Sequence, residues 1–324
     1  MLLKLFKKNH PYVVFLIPII GVVLWIPAFF ANTNNIDLGT TTYIFNKLYN
    51  WININSVMPK VIALLLIIVE SFILVRLNFK YIFIEKKTYL PSVMFLIFAS
   101  AISAYQTLHP LLIGNLFLLL SLDKIFIIDK KRNALKRYFE SGFFLGLGAI
   151  FYPNIYVFTI IIWLTLFILR TFNWREWFTS ILGVIAPFFF YLVYLFLTDN
   201  LNNVINKLIS IFFYKAKIAP ISGYPFYAVV FLAITTFLIL FKVLSFIRIK
   251  KINTRKYFSL FFWFLIYTIV LFSLHQSLGY ELIVVIAIPL SIIYSMFLME
   301  QRSKWIGEVL FSLILISIFI MIWG

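Results

Sequence analysis

A chain of 324 residues in which 63% are hydrophobic and 12% charged, with a mean hydropathy of +1.02, has too little polar surface for a water-soluble globule. Its net charge of +17 would suit nucleic acid, but the basic residues fall in joints between apolar runs, where anionic headgroups meet them instead. Cysteine is absent, which excludes disulfides, thiolate metal sites and thiol nucleophiles.

In chain order, the apolar runs predict membrane spans at Pro11–Ala31, Met58–Val75, Tyr89–Thr107, Pro110–Ile128, Tyr138–Tyr152, Ile155–Leu169, Phe178–Leu197, Phe226–Ile247, Tyr257–Leu274, Leu282–Leu298 and Ile306–Trp323. The expected fold is all-α: a polytopic transmembrane helical bundle of about 11 spans (9–13), forming one integral-membrane domain over residues 1–324. The first run follows Lys4, Lys7 and Lys8 and has no small-x-small cleavage site near Phe29-Phe30-Ala31, so it reads as a retained signal anchor. With the amino terminus in the cytoplasm, only Lys47, Lys60, Lys207, Lys215 and Lys217 fall on the outer side, leaving 23 of the 28 basic residues inside. The positive-inside rule selects this orientation, with an odd span count placing the carboxyl terminus on the outer side.

Two outer loops show helical amphipathicity. Ile44, Phe45, Leu48, Tyr49 and Ile52 share one face of the first, and Leu201, Val204, Ile205, Leu208, Ile209 and Phe212 share one face of the second. Each is expected to lie along the membrane interface. Within the fifth span Gly142 and Gly146 stand in small-xxx-small register for close helix packing. The run from Tyr138 to Leu169 is too long for one crossing and is broken at Tyr152-Pro153-Asn154.

The outer side also gathers polar groups that suit a phosphorylated lipid substrate: Asp37, then His109, Lys207, Lys215, Lys217, His275 and Glu281. A carboxylate there can act as a base or hold a divalent cation, and lysine and histidine can stabilise phosphate charge. Any metal ligand would be Asp37. The plain alternative is that wet loops simply contain polar residues. Glu70 differs because it lies inside the second apolar run, where an isolated carboxylate is expensive and must be paired or protonated. Zinc-protease, Walker and dinucleotide signatures are absent, and three scattered histidines cannot build a di-iron site.

Two resemblances follow from these residues. The stretches Lys87-Thr88-Tyr89-Leu90-Pro91, Leu108-His109-Pro110-Leu111-Leu112-Ile113-Gly114-Asn115 and Tyr138-Phe139-Glu140-Ser141-Gly142-Phe143 resemble a family of polytopic inner-membrane proteins of Bacteroidota for which no activity is established. So do Phe151-Tyr152-Pro153 and Leu169-Arg170-Thr171-Phe172-Asn173-Trp174-Arg175-Glu176-Trp177. More distantly, the order of first span, outer loop with Asp37 and interfacial helix at Tyr43–Ile52 is similar to the GT-C superfamily of polyprenyl-phosphate-dependent glycosyltransferases. That resemblance implies a catalytic role for Asp37 and a polyprenyl-phosphate-linked sugar as donor. The chain departs from it in having one acidic residue where the superfamily has a doublet, and in lacking a large outer domain. Three functions fit: such a transferase; a non-catalytic scaffold or accessory subunit of an envelope assembly or secretion complex, with envelope protein partners; and a lipid or solute transporter using Glu70. In all three, membrane lipids are partners and nucleic acid is not.

Overall fold

A computed structural model describes residues 2–7, 12–30, 41–52, 57–126, 134–169, 173–212, 223–274, 278–301 and 303–323, and among them all regular structure is helical. The α-helices are α1 (Leu2–Lys7), α2 (Val13–Phe30), α3 (Tyr43–Ile52), α4 (Met58–Tyr81), α5 (Leu90–Ala99), α6 (Pro110–Phe126), α7 (Ala134–Phe151), α8 (Thr159–Leu169), α9 (Trp174–Leu197), α10 (Leu201–Phe212), α11 (Tyr224–Ile247), α12 (Ile252–Leu274), α13 (Ile283–Glu300) and α14 (Lys304–Trp323). Seven are long and apolar enough to cross a membrane: α2, α4, α9, α11, α12, α13 with its leading turn, and α14. The protein is therefore a multi-pass membrane protein.

Each of the other four expected spans also contains a helix, but a shorter or more polar one. α5 has ten residues, α6 has 17 and α8 has 11, while α7 carries Lys136, Arg137 and Glu140. The expected span Tyr89–Thr107 ends as a helix at Ala99, and the expected span Ile155–Leu169 becomes α-helical only at Thr159, after a 3₁₀ turn over Pro153–Phe158. In both places side chains hold the broken backbone. Gln106 Nε2 donates to the Ser100 carbonyl (2.8 Å) and the Leu24 carbonyl (3.4 Å), and Trp25 Nε1 donates to Ser100 Oγ (2.9 Å). Tyr267 donates its hydroxyl to the Val157 carbonyl (2.7 Å). Irregular backbone at membrane depth survives only where protein satisfies it, and Ser100, Gln106, Thr107 and Leu108 are all buried.

Because lipid tails are as apolar as leucine, helices here gain from close approach more than from hydrophobic burial. The α7–α9 crossing shows this at Gly142 and Gly183. A Cβ on Gly142 would clash with the Ser180 carbonyl oxygen, and one on Gly183 with that of Phe139. Gly146 lies against Val184 and Pro187 in the same way, so the small-residue register on α7 finds its partner on α9. At the centre of the bundle all ten residues of α5 are buried. They pack beside α13, where Phe98 and Tyr294 meet edge to face at 4.9 Å.

The two ends of the bundle differ. One end, the basic end, collects the joints rich in lysine and arginine. There Lys80 pairs with Asp123 (2.6 Å), Lys124 with Glu140 (3.0 Å), and Lys250 with both Glu85 (2.9 Å) and Glu300 (2.8 Å). Backbone N–H groups of α1 donate to Glu308 on α14, and Thr88 donates to the Phe6 carbonyl (2.8 Å). At the far end α3 and α10 cover the ends of α7 and α9. The expected amphipathic faces do the packing: Phe45 and Val204 are fully covered, with Ile44, Leu201 and Leu208 beside Tyr191, Leu195 and Ile150.

Candidate functional site

Three breaks in the helical backbone meet at the far end. The first is the irregular stretch from Ser100 to His109 between α5 and α6, the second the turn at Tyr152-Pro153-Asn154 after α7, and the third the Tyr280–Leu282 turn before α13. Each contributes a polar side chain to one buried cluster. His109 Nε2 and Glu281 Oε2 are 3.0 Å apart, and Tyr152 donates its hydroxyl to Glu281 Oε1 in a short hydrogen bond. The backbone N–H of Leu111 donates to His109 Nδ1 at 3.2 Å. That bond gives Nδ1 the role of acceptor, so the ring proton belongs on Nε2, facing the carboxylate. It also satisfies one of the free N–H groups at the start of α6. Tyr105 meets the His109 ring edge to face at 5.7 Å.

The cluster is submerged. From His109 to Asp123, and from Tyr152 to Glu140, the chain rises about 18–21 Å as helix, short of the ~30 Å hydrocarbon thickness. Tyr152, His109 and Glu281 are all buried in the cluster. Beyond it the 3₁₀ turn leads into an apolar groove of about 450 Å³ between α8 and α9, lined by Tyr156, Val157, Ile160, Trp163, Ile181 and Ile185 among others. α3 is anchored at the same break, where Thr42 donates to the Phe151 carbonyl (3.1 Å). Lys60 reaches from the start of α4 to the Ala28 carbonyl (2.6 Å), capping the carboxyl end of α2.

Of the residues expected at the site, His109 and Glu281 come together as a pair. Lys207 lies on α10, half-buried on the helix that covers the ends of α7 and α9, and burial draws its pKa below the ordinary lysine value. Glu70 sits apart, fully buried in mid-helix, accepting from Asn115 Nδ2 at 3.0 Å. Asp37, Lys215, Lys217 and His275 lie outside the described residues. Sequence reasoning missed Tyr152 as a chemical group. The signal was the Tyr-Pro-Asn break in an apolar run, read there as punctuation alone. Gln106, Ser100 and Trp25 were missed as the network that holds the first break.

Chemically, the cluster can orient an imidazole against a carboxylate and a phenol in a buried site at the far end, and such a set can take or hold a proton. Among the described residues no three His, Cys, Asp or Glu side chains come together as a metal site. No curated protein and no solved structure matches the chain. Residues 38–323, spanning α3 to α14, match the model of a family described as a family of unknown function (DUF6427), and the chain belongs to that family.

Proposed function

We propose that this protein is a GT-C-like glycosyltransferase of a bacterial inner membrane, with the basic end cytoplasmic and the far end in the outer leaflet. In this reading the four shorter helices complete eleven crossings. It transfers a sugar from a polyprenyl-phosphate donor to an envelope glycan or lipid. One juxtaposition carries the reading: the Tyr152–Asn154 break joins the polar cluster to the apolar groove that begins at Tyr156 and Val157. A substrate with a charged head and a long isoprenoid tail needs a polar centre and a lateral apolar groove at one depth.

The chemistry assigns Asp37 as base. It takes the proton of the acceptor hydroxyl as that oxygen bonds to the anomeric carbon, while the bond from that carbon to the phosphate oxygen breaks and polyprenyl phosphate leaves. Lys207, with Lys215, Lys217 and His275, offsets the charge on the departing phosphate. His109 and Glu281 hold the α6 and α13 breaks in place at the substrate's edge. If a divalent cation takes part, Asp37 is its ligand; no step depends on one.

A second reading rests on a different observation. His109 and Glu281 satisfy each other, with Tyr152 and the Leu111 N–H completing the set, as expected of a lock in a non-catalytic scaffold of an envelope complex. The Asp37→Asn variant separates the two. Membranes containing it at wild-type level should show no transfer from a labelled polyprenyl-phosphate sugar. Undiminished transfer removes the catalytic assignment, and undiminished function in cells together with a co-purifying partner favours the scaffold.

A further inference from the structure

The transferase reading does not use the acid at the middle of the membrane. Glu70 lies at the centre of α4, with about 17 Å of helix on either side. It is fully buried, as is Asn115 on α6. Asn115 Nδ2 donates to Glu70 Oε2 at 3.0 Å. Glu70 Oε1 and Asn115 Oδ1, the other atom of each group, are both buried without a hydrogen-bond partner.

These two orphan atoms are both acceptors when Glu70 is ionised, and a carboxylate has no donor to offer. A single proton resolves both. We propose that Glu70 and Asn115 form a proton-binding site in which Glu70 is a neutral carboxylic acid, its Oε1–H donating to Asn115 Oδ1. The two planar groups are then joined by a pair of hydrogen bonds in an acid–amide ring. Every polar atom of the pair is satisfied, as the bilayer core demands. Loss of the proton leaves a bare carboxylate between α4 and α6, a state the apolar core strongly disfavours.

The surroundings suit a proton and not a metal ion. One turn away on α4 and α6 stand Ile67, Leu74, Leu112 and Leu119, all buried, and the pair's three side-chain oxygens, one of them already bonded to Asn115 Nδ2, are too few to replace a metal cation's hydration shell. Among the described residues no counter-charge stands at this level. α2, α5 and α8 carry no titratable residue. On α4 the nearest is Arg76, towards the basic end, where Lys80 pairs with Asp123 of α6 and Tyr81 bonds to it; Lys60, at the far end, is spent on α2. α3 bears Lys47 with Tyr43 and Tyr49, at the far end. On α6 Lys124 pairs with Glu140 of α7, as does Arg137, next to Tyr138; Lys136 shares that first turn. On the α13 side Glu281 is held by His109 and Tyr152, Tyr294 bonds to Thr236 of α11, and Glu300 bonds to Lys250.

This site is independent of Asp37 and stands whether or not the protein is a transferase. Infrared spectroscopy of the full chain in lipid nanodiscs near neutral pH tests it. The wild type should show a protonated-carboxyl carbonyl band that is missing in Glu70→Gln and moves to a freer frequency in Asn115→Leu. Absence of that band from the wild-type minus Glu70→Gln difference spectrum, with carboxylate bands in its place, overturns the proposal. Thermal unfolding in sodium chloride and in choline chloride gives a second reading from the wild type alone. Equal melting temperatures are expected, and a sodium-specific rise that disappears in Glu70→Gln would make this a cation site instead. Glu70→Gln, whose N–H₂ replaces the acid proton as donor, should melt with the wild type, whereas Glu70→Leu, which strands Asn115, should melt lower; the reverse order also overturns the proposal.

Discussion

At the basic end, lysine and arginine on the last turns of α4 and α6, the first turn of α7 and the α11–α12 connection pair with nearby carboxylates, and most of these side chains keep a sizeable part of their surface exposed. At the far end the ionisable pair His109–Glu281 is buried, and the groups around it are hydroxyls, an amide and backbone. The first arrangement is redundant and cheap, since partly exposed pairs contribute about 0–1 kcal/mol each. The second concentrates its bonding in a few groups that have no solvent to fall back on. Identical chemistry, carboxylate to cation or imidazole, therefore has different consequences at the two ends, because burial decides what an unmade bond costs.

The largest effect should come from breaking the far end at its hub. Glu281→Ala removes the acceptor shared by His109 and Tyr152 and leaves both buried without it. A loss of about 3–5 kcal/mol is expected for breaking a buried pair, read as a large drop in melting temperature and in accumulated protein. Glu281→Gln keeps one carbonyl oxygen for the Tyr152 hydroxyl and should lose less. An alanine variant as stable as the wild type would show that the cluster does not hold the three breaks together.

A smaller loss should follow at the first break. Trp25→Phe keeps the ring's bulk and deletes the N–H that serves Ser100 Oγ, which is buried. Leaving one buried polar atom unmade costs about 1–3 kcal/mol. If the segment after α5 depends on this contact, its amides should exchange faster with deuterium in the variant, while those of α5 itself stay protected. Unchanged exchange from Ser100 to His109 would place the support with Gln106 alone.

How much of this was legible follows the range of the interactions. Apolar runs and the positions of lysine and arginine are local patterns, and each expected span does contain a helix. The amphipathic faces of α3 and α10 and the glycine register of α7 were equally readable, since 3.6-residue periodicity needs no partner. The end of α5 at Ala99 was not, because Trp25 and Gln106 decide it from outside the helix. His109 and Glu281 drew notice as polar residues on one side of the membrane. Their pairing, and the place of Tyr152 in it, join positions 172 and 129 residues apart along the chain. Asn115 carries no local signal of its own; its role follows only from α4 placing Glu70 beside it.

The smallest effect should be found at the basic end, and its response to solution conditions sharpens the contrast. Lys250 bridges Glu85 and Glu300 across three elements. Burial works against its charge, but hydrogen bonds and charge from Glu300 and Glu85 outweigh it and hold the ammonium above the ordinary lysine range. A group whose folded pKa is raised contributes its stability fully below the unfolded value, about 10.4 for lysine, and loses it as pH rises through the folded value. Lys250→Met should therefore melt slightly below the wild type at neutral pH, by no more than about 1 kcal/mol, with the gap closing in the alkaline range. The same gap should narrow in ~1 M salt, where the screening length falls to about 3 Å. The Glu281→Ala deficit should persist there, because buried pairs are screened far less. If salt reduced both deficits equally, water would be reaching the far-end cluster, and the distinction between a wet basic end and a dry far end would fall.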